Sequence, residues 1–319
     1  MKKKLLFNNI FLTDWTCISV QGVDAACFLQ NMFSININNV KKNEYAIGSH
    51  CNVHGKLLSI FIIFHYKTGY AYIQRSSVTQ YQISELKKCS IFYNLSIIEL
   101  NQYILLGIKG NSIQQYFNFN STMFFKKNNI ITSCQEGLIF NLDIIKKRFL
   151  VLLKKEYIKY IQNTYHLLKK VCSNNIWLSL DIQSGIPIID QNNYAKIIAL
   201  NTNLVKLKGI DFKKGCYYGQ EAIARLYFKG KIKYSLYWLI STSSGSFDIE
   251  LTNFFQFQGS YIEIQRDNDW LIIGTILSVS QTLKKEIWVQ CILRKNLDHL
   301  NNLRIQGVSN IFFKIKKEF

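Results

Sequence analysis

Residues 213–225 read Lys213-Lys214-Gly215-Cys216-Tyr217-Tyr218-Gly219-Gln220-Glu221-Ala222-Ile223-Ala224-Arg225. As local chemistry, this is a glycine-punctuated loop running into a helix. Gly215 and Gly219 permit tight or left-handed backbone on either side of Cys216. Gln220 and Glu221 suit a first helical turn, and Ile223, Ala224 and Phe228 give the helix an apolar side. Cys216 then sits just ahead of a helix N-terminus and beside Lys213 and Lys214. Both features favour thiolate over thiol. A thiolate can act as nucleophile, metal ligand or redox-sensitive group. The alternative is that Cys216 is one more small buried residue, as free cysteines generally are.

Downstream of this segment the chain changes character. Short strand-like runs at 233–240, 261–266, 270–278, 287–293 and 311–315 are separated by polar turns. Five or six short strands without helices predict a small β-barrel. The boundary falls near residue 232, giving a body of residues 1–232 and a C-terminal domain of residues 233–319. Upstream, helix and strand patterns alternate irregularly, which predicts α+β rather than a doubly wound sheet. Ala25, Phe28, Leu29 and Met32 repeat at helical spacing behind Asp24. Runs 57–66 and 70–74 around Lys67-Thr68-Gly69 read as a hairpin. Residues 76–88 read as helix, and 90–99, 103–108 and 149–153 as strands. The Asn-rich stretch 111–135 reads as a short helix and loops. Ile158, Ile161, Tyr165 and Leu168 mark a further helix.

The bulk numbers exclude several classes. The chain has 319 residues, which suits two domains, and 48% of them are hydrophobic, ample for a core. Mean hydropathy is near zero (+0.02), unlike a disordered or membrane chain. The longest apolar run, 57–64, is far short of the roughly 20 residues a membrane span needs. Eight cysteines lie at long, irregular spacings with no C-x-x-C, which reads as reduced thiols in the cytoplasm. The formal net charge is +19. It would attract RNA or an anionic ligand, but the Lys, Asn and Ile bias of the whole chain also accounts for it. His50, Cys51 and His54 fall short of a tetrahedral ligand set, so no metal is expected. Asp181 and Asp190 are a possible carboxylate pair, separated by Gly185 and Pro187. Trp15 and Trp177, taken alone, read as core aromatics.

Lys214-Gly215-Cys216-Tyr217-x-Gly219-Gln220-Glu221, followed by Arg225, resembles the signature of the YgfZ family of folate-binding proteins, relatives of the glycine cleavage T-protein. Further segments resemble the family in order and spacing. They are Asp14-Trp15 with Gly22-Val23-Asp24, Arg75-Ser76-Ser77-Val78, Glu85-Leu86-Lys87-Lys88, Trp177-Leu178, residues 185–190, Thr202-Asn203-Leu204 and Gly274-Thr275. The similarity covers nearly the whole chain. It implies a T-protein-like α+β body, a C-terminal barrel, and a central cleft for a tetrahydrofolate derivative flanked by Trp15 and Trp177. It implies Cys216 as a reactive thiol, with Lys214, Gln220, Glu221 and Arg225 around it. It implies a cytoplasmic monomer that supports iron–sulfur enzymes which thiolate tRNA, with tRNA itself a possible partner. An indole face suits a flat pteridine ring, and a basic cleft suits folate's anionic tail. Two positions depart from the family pattern. Ala199-Leu200 replaces a Pro followed by Gln or Glu, and Asn52 replaces an Asp. Two other functions stay open: a folate-dependent aminomethyltransferase, and a basic RNA-binding protein acting through charge.

Overall fold

The computed structural model describes residues 8–110, 113, 117, 129–143, 147–159, 174–230, 232–242, 254–282, 285–295 and 302–319. Two five-stranded antiparallel sheets form the body. The first has the order β3 (Tyr45–Cys51), β4 (Leu57–Tyr66), β5 (Gly69–Arg75), β2 (Trp15–Gln21), β6 (Ser96–Glu99). The second runs β1 (Asn8–Phe11), β7 (Tyr103–Lys109), β10 (Arg148–Lys154), β9 (Gly137–Asp143), β8 (Ile131–Cys134).

The unbroken apolar run in β4 now has its reason. Phe61 and Ile63 face helices α1 (Ala25–Met32) and α2 (Thr79–Cys89), packing with Phe28, Phe33 and Ile83. Ile62 and Phe64 face the second sheet, with Leu105, Phe140 and Leu150. A strand covered on both faces loses the alternation of a half-exposed one. Each such side chain contributes about 1.5–3 kcal/mol by leaving water.

The C-terminal part is a closed antiparallel barrel. Its order is β11 (Tyr234–Ser241), β14 (Ile287–Arg294), β13 (Asp269–Gln281), β12 (Tyr261–Arg266), β15 (Leu303–Ile305), β16 (Phe312–Glu318), and β16 pairs back onto β11. Closure removes sheet edges that would otherwise seek partners. The α+β class, the hairpin at Lys67-Thr68-Gly69 and the barrel all appear as the sequence implies.

Buried amides tie barrel to body. Gln290 on β14 accepts from the Ile188 N–H (2.9 Å) and donates to the Ile186 carbonyl (2.9 Å). Asn193 donates to the Leu277 carbonyl (3.1 Å). A shared core joins α3 (Asn174–Ser184), residues 188–204, and the barrel's Leu236, Trp238, Leu277 and Ile292.

Three expectations change. Within 90–99 only Ser96–Glu99 is strand; turns fill the rest, because Ser90 and Asn94 bond locally or to α1's start. In the stretch read as short helix and loops, Ile131–Cys134 is strand β8, paired with β9. β15 was not anticipated, since three residues carry too little pattern. The helix marked by Ile161, Tyr165 and Leu168 lies outside the described residues. Among the described residues, no helix is long and apolar enough to cross a membrane.

Candidate functional site

The sequence-predicted residues fall in two places. The first is the Cys216 loop. Gly219 adopts φ +85°, and helix α4 (Gln220–Phe228) starts immediately after it. Gln220 returns its Oε1 to the Tyr217 N–H (3.3 Å) while its own N–H bonds the Tyr217 carbonyl (3.0 Å). This reciprocal pair satisfies donors that a helix start leaves open. Glu221 and Arg225 lie exposed on α4, and Cys216 is itself exposed. The thiol is therefore accessible rather than a core packing residue. Gly215 needs no left-handed backbone; a Cβ there would meet nothing within 4 Å.

Lys214 does something the sequence did not suggest. Its buried ammonium donates to the carbonyls of Gln30, Phe33 (2.7 Å) and Ile35 (2.8 Å), at and just beyond the end of α1. The Gln30 carbonyl lies in the last turn of α1, at the negative end of its dipole, and those of Phe33 and Ile35 lie on the chain that leaves it; all three need a donor. Burial pulls the Lys214 ammonium down to about 8, partly offset by Asp211. The Tyr218 N–H bonds the Asn31 carbonyl (2.9 Å), and the Asp211 N–H bonds the Ser34 carbonyl (2.8 Å). The loop is thus stitched to residues 30–35, and Cys216 stands out from a fixed base. From below, the turn at Asn52 supports α4. A Cβ on Gly219 would fall 2.3 Å from the Asn52 carbonyl oxygen. The Asn52 side chain closes that turn by accepting from the N–H groups of His54 (3.0 Å) and Lys56 (3.1 Å). An Asp would accept equally, so the departure at Asn52 removes a charge and keeps the turn. Ala199 and Leu200 are buried in the core shared with the barrel.

The second place is a cleft between the two sheets and α3. Trp15, half-buried at the start of β2, and Trp177, buried on α3, both line it. Each indole carries an arginine, and each arginine an aspartate. The Arg75 guanidinium lies 5.5 Å from the Trp15 ring and binds Asp190 through two bonds (2.9 and 3.1 Å). Asp190 also accepts from Ser77 (2.5 Å) and from Gln258 (3.0 Å), the latter in the C-terminal part. The Arg148 guanidinium lies 4.1 Å from the Trp177 ring and pairs with Asp181, both side chains being buried. Asp181 and Asp190 are therefore two separately paired carboxylates rather than one catalytic pair. Asp190 is saturated. The Oδ2 of Asp181 is buried and has no partner, and burial pushes this carboxyl up, opposed by Arg148. The back wall is apolar, from Ile47, Ile62, Leu150 and Ile189 among others. Trp177 lies so close to β7 that a Cβ on Gly107 would fall 2.4 Å from its ring.

The cleft is narrow, with room for about one water between its walls. Trp15 is also a wall of an adjoining open groove that includes Glu99, Tyr103 and Lys155. None of residues 213–225 lines the cleft, so the thiol and the two indoles form separate sites. Sequence reasoning singled out Asp181 and Asp190 as a possible carboxylate pair but missed Arg75 and Arg148, the cations that hold them apart. A signal was present: the chain has six arginines among 39 Lys+Arg. Arg75 and Arg148 are two of the six, and both are buried, where a planar, always-charged fork does what lysine's ammonium cannot.

His50 and Cys51, adjacent on β3, point to opposite faces. His50 packs against Phe33 (5.7 Å between centroids), and Cys51 joins the shared core. Neither ring nitrogen of His50 has a partner, and burial pulls the imidazole down to about 3. An unfolded histidine titrates near 6.5. Between about pH 6.5 and pH 3 the unfolded chain therefore holds a proton the native one lacks. Stability falls with pH in that window, by about 2 kcal/mol at pH 5 relative to pH 7 from this group. Urea unfolding at the two pH values measures the difference, and His50→Leu should reduce it.

Comparison with known proteins agrees with this architecture. A family model described as "YgfZ, beta-barrel domain" matches residues 233–308. The chain is 38% identical over 316 residues to "tRNA-modifying protein YgfZ" of Buchnera aphidicola subsp. Acyrthosiphon pisum (strain APS), covering 97% of this chain and 94% of that protein. It is 36% identical to the protein of the same description from Buchnera aphidicola subsp. Schizaphis graminum (strain Sg), covering 94% and 92%. The glycine cleavage system aminomethyltransferase T from Bartonella henselae shares the fold, with a TM-score of 0.72 at 12% identity over 96% of this chain and 84% of that one. The chain belongs to the YgfZ family of tRNA-modifying proteins.

Proposed function

We propose that this protein is a cytoplasmic folate-binding factor that supports iron–sulfur enzymes which thiolate tRNA, with Cys216 as its reactive thiol. The observation that carries the folate part is the cleft holding Trp15, Trp177 and the unpartnered Oδ2 of Asp181. A pteridine is flat, with donor groups along one edge. Indole faces suit the ring, and a buried acceptor without a donor suits the edge. The narrowness of the cleft requires its walls to part, and half-exposed Trp15, shared with the open groove, is the side chain placed to do so. Lys155 on that groove suits the anionic tail. A bound tetrahydrofolate derivative would supply a one-carbon carrier; the residues described here bind and orient it. In this reading the body of residues 1–232 holds both sites, and the barrel of residues 233–319 braces them through Gln258 and Gln290.

Trp15→Ala should weaken binding of a tetrahydrofolate derivative about tenfold, because a stacking face is lost. Isothermal titration measures this; an unchanged affinity would remove the cleft as the folate site.

The fold shared with an aminomethyltransferase favours a second reading, direct methylene transfer to folate. An assay with a lipoyl-bound aminomethyl group separates the two. Sustained turnover would favour the enzyme; its absence, with folate bound, would favour the supporting role.

A further inference from the structure

Beside the Cys216 loop, α4 presents aromatic rings in mutual contact. Phe212 and Tyr227 stack at 4.1 Å between centroids with 23° between planes. Phe228 meets Tyr227 edge-on at 5.4 Å and is 75% exposed. Isolated exposed aromatics are unremarkable; three rings in contact at the rim of a groove are a surface. The groove is open to solvent, and its walls include these rings with Lys208 and Lys213. Lys206 and Lys229 follow directly in sequence on wall residues, and all four lysines are exposed. Asp211 is the only acidic residue among those lining the groove, and its carboxylate is occupied by the Lys213 N–H (2.7 Å). Asn36 and Asn39 add amide groups to the same wall.

The combination selects the partner. Protein-binding surfaces are depleted of lysine. Single-stranded nucleic acid needs both features: a cationic track for phosphates and aromatic faces for unstacked bases. We infer that this groove binds an unpaired segment of RNA, with bases stacked on Phe228 and Tyr227 and phosphates held by Lys208 and Lys213. The RNA would then pass next to Cys216, which stands on the same loop. This rests on the tRNA side of the function proposed above and is independent of folate and of the thiol.

The test is fluorescence anisotropy of a labelled 12-nucleotide single-stranded RNA with the full chain, over a series of salt concentrations. Phe228→Ser should lower affinity about tenfold; the ring is mostly solvent-exposed, so the fold should be unaffected, which circular dichroism verifies. Lys208→Glu with Lys213→Glu should weaken binding and reduce the salt slope by about 1.4, or roughly 0.7 per lost phosphate contact. Lys109→Glu with Lys147→Glu, the same charge change at the end of β7 and in the turn before β10 of the second sheet, should bind within about twofold of the parent. Cys216→Ala should bind as the parent does, so failure of the thiol's role would not be mistaken for failure of this site. The inference is overturned if the Phe228 and Lys208/Lys213 variants bind like the parent, if the second-sheet control loses as much as they do, or if no RNA is bound at low salt. The last result would leave the aromatic face to a protein partner.

Discussion

Arg148→Ala is expected to cost about 3–5 kcal/mol of unfolding free energy, because it strands a buried carboxylate. Arg148 and Asp181 are each only 2% exposed. Arg148 also donates to Ser184 (3.4 Å) and covers the Trp177 ring. The loss would therefore reach the cleft as well as the fold: Trp177 would lose the cation over its face. Removing both charges with apolar residues of similar volume, Arg148→Met with Asp181→Leu, should recover most of the stability. It should not recover folate binding, since the unpartnered Oδ2 goes with Asp181. Urea unfolding gives the first result and titration with a tetrahydrofolate derivative the second. A stable Arg148→Ala variant with full affinity would show that the pair holds neither core nor site.

The second large effect is expected at Gly219. Gly219→Ala places a Cβ where φ is +85° and 2.3 Å from a backbone oxygen of Asn52. Left-handed backbone costs a non-glycine residue about 1–2 kcal/mol, and the contact cannot relax without moving the turn or the helix. A loss of at least about 2 kcal/mol follows. It should appear as faster hydrogen exchange in α4, while protection of β4 and β5 persists. Gly215→Ala, where backbone and space are both permissive, should be nearly neutral. This contrast separates a glycine required by geometry from one that merely accompanies it.

Much of this architecture was legible from residues alone, for identifiable reasons. The helix at Ala25, Phe28, Leu29 and Met32 had an unambiguous period, and the barrel strands had polar turns between them. The loop before α4 was legible because glycine at 219 and the Gln220-Glu221 start are local signals. What stayed hidden was relational. Nothing near Lys214 reveals that its ammonium serves carbonyls about 180 residues earlier in the chain. A sequence neighbour of Cys216 was read as a charge acting on the thiol, whereas the structure commits that charge to the end of α1. Arg75 with Asp190, and Arg148 with Asp181, are likewise pairs made where α3 and the segment after it pack on the strands, with no local spacing to announce them. The separation of the indoles from Cys216 could not be read either, because the resemblance names Trp15, Trp177 and the Cys216 segment without saying which of them meet in space.

The central claim is that the exposed thiol of Cys216 is needed for tRNA thiolation. The most direct test is rescue of a bacterium lacking its own family member, comparing this protein with its Cys216→Ala form and quantifying thiolated tRNA. Restored thiolation by the parent and none by Cys216→Ala, at equal levels of folded protein, is the predicted result. Equal restoration by both would contradict the account and leave the loop without a role for its thiol.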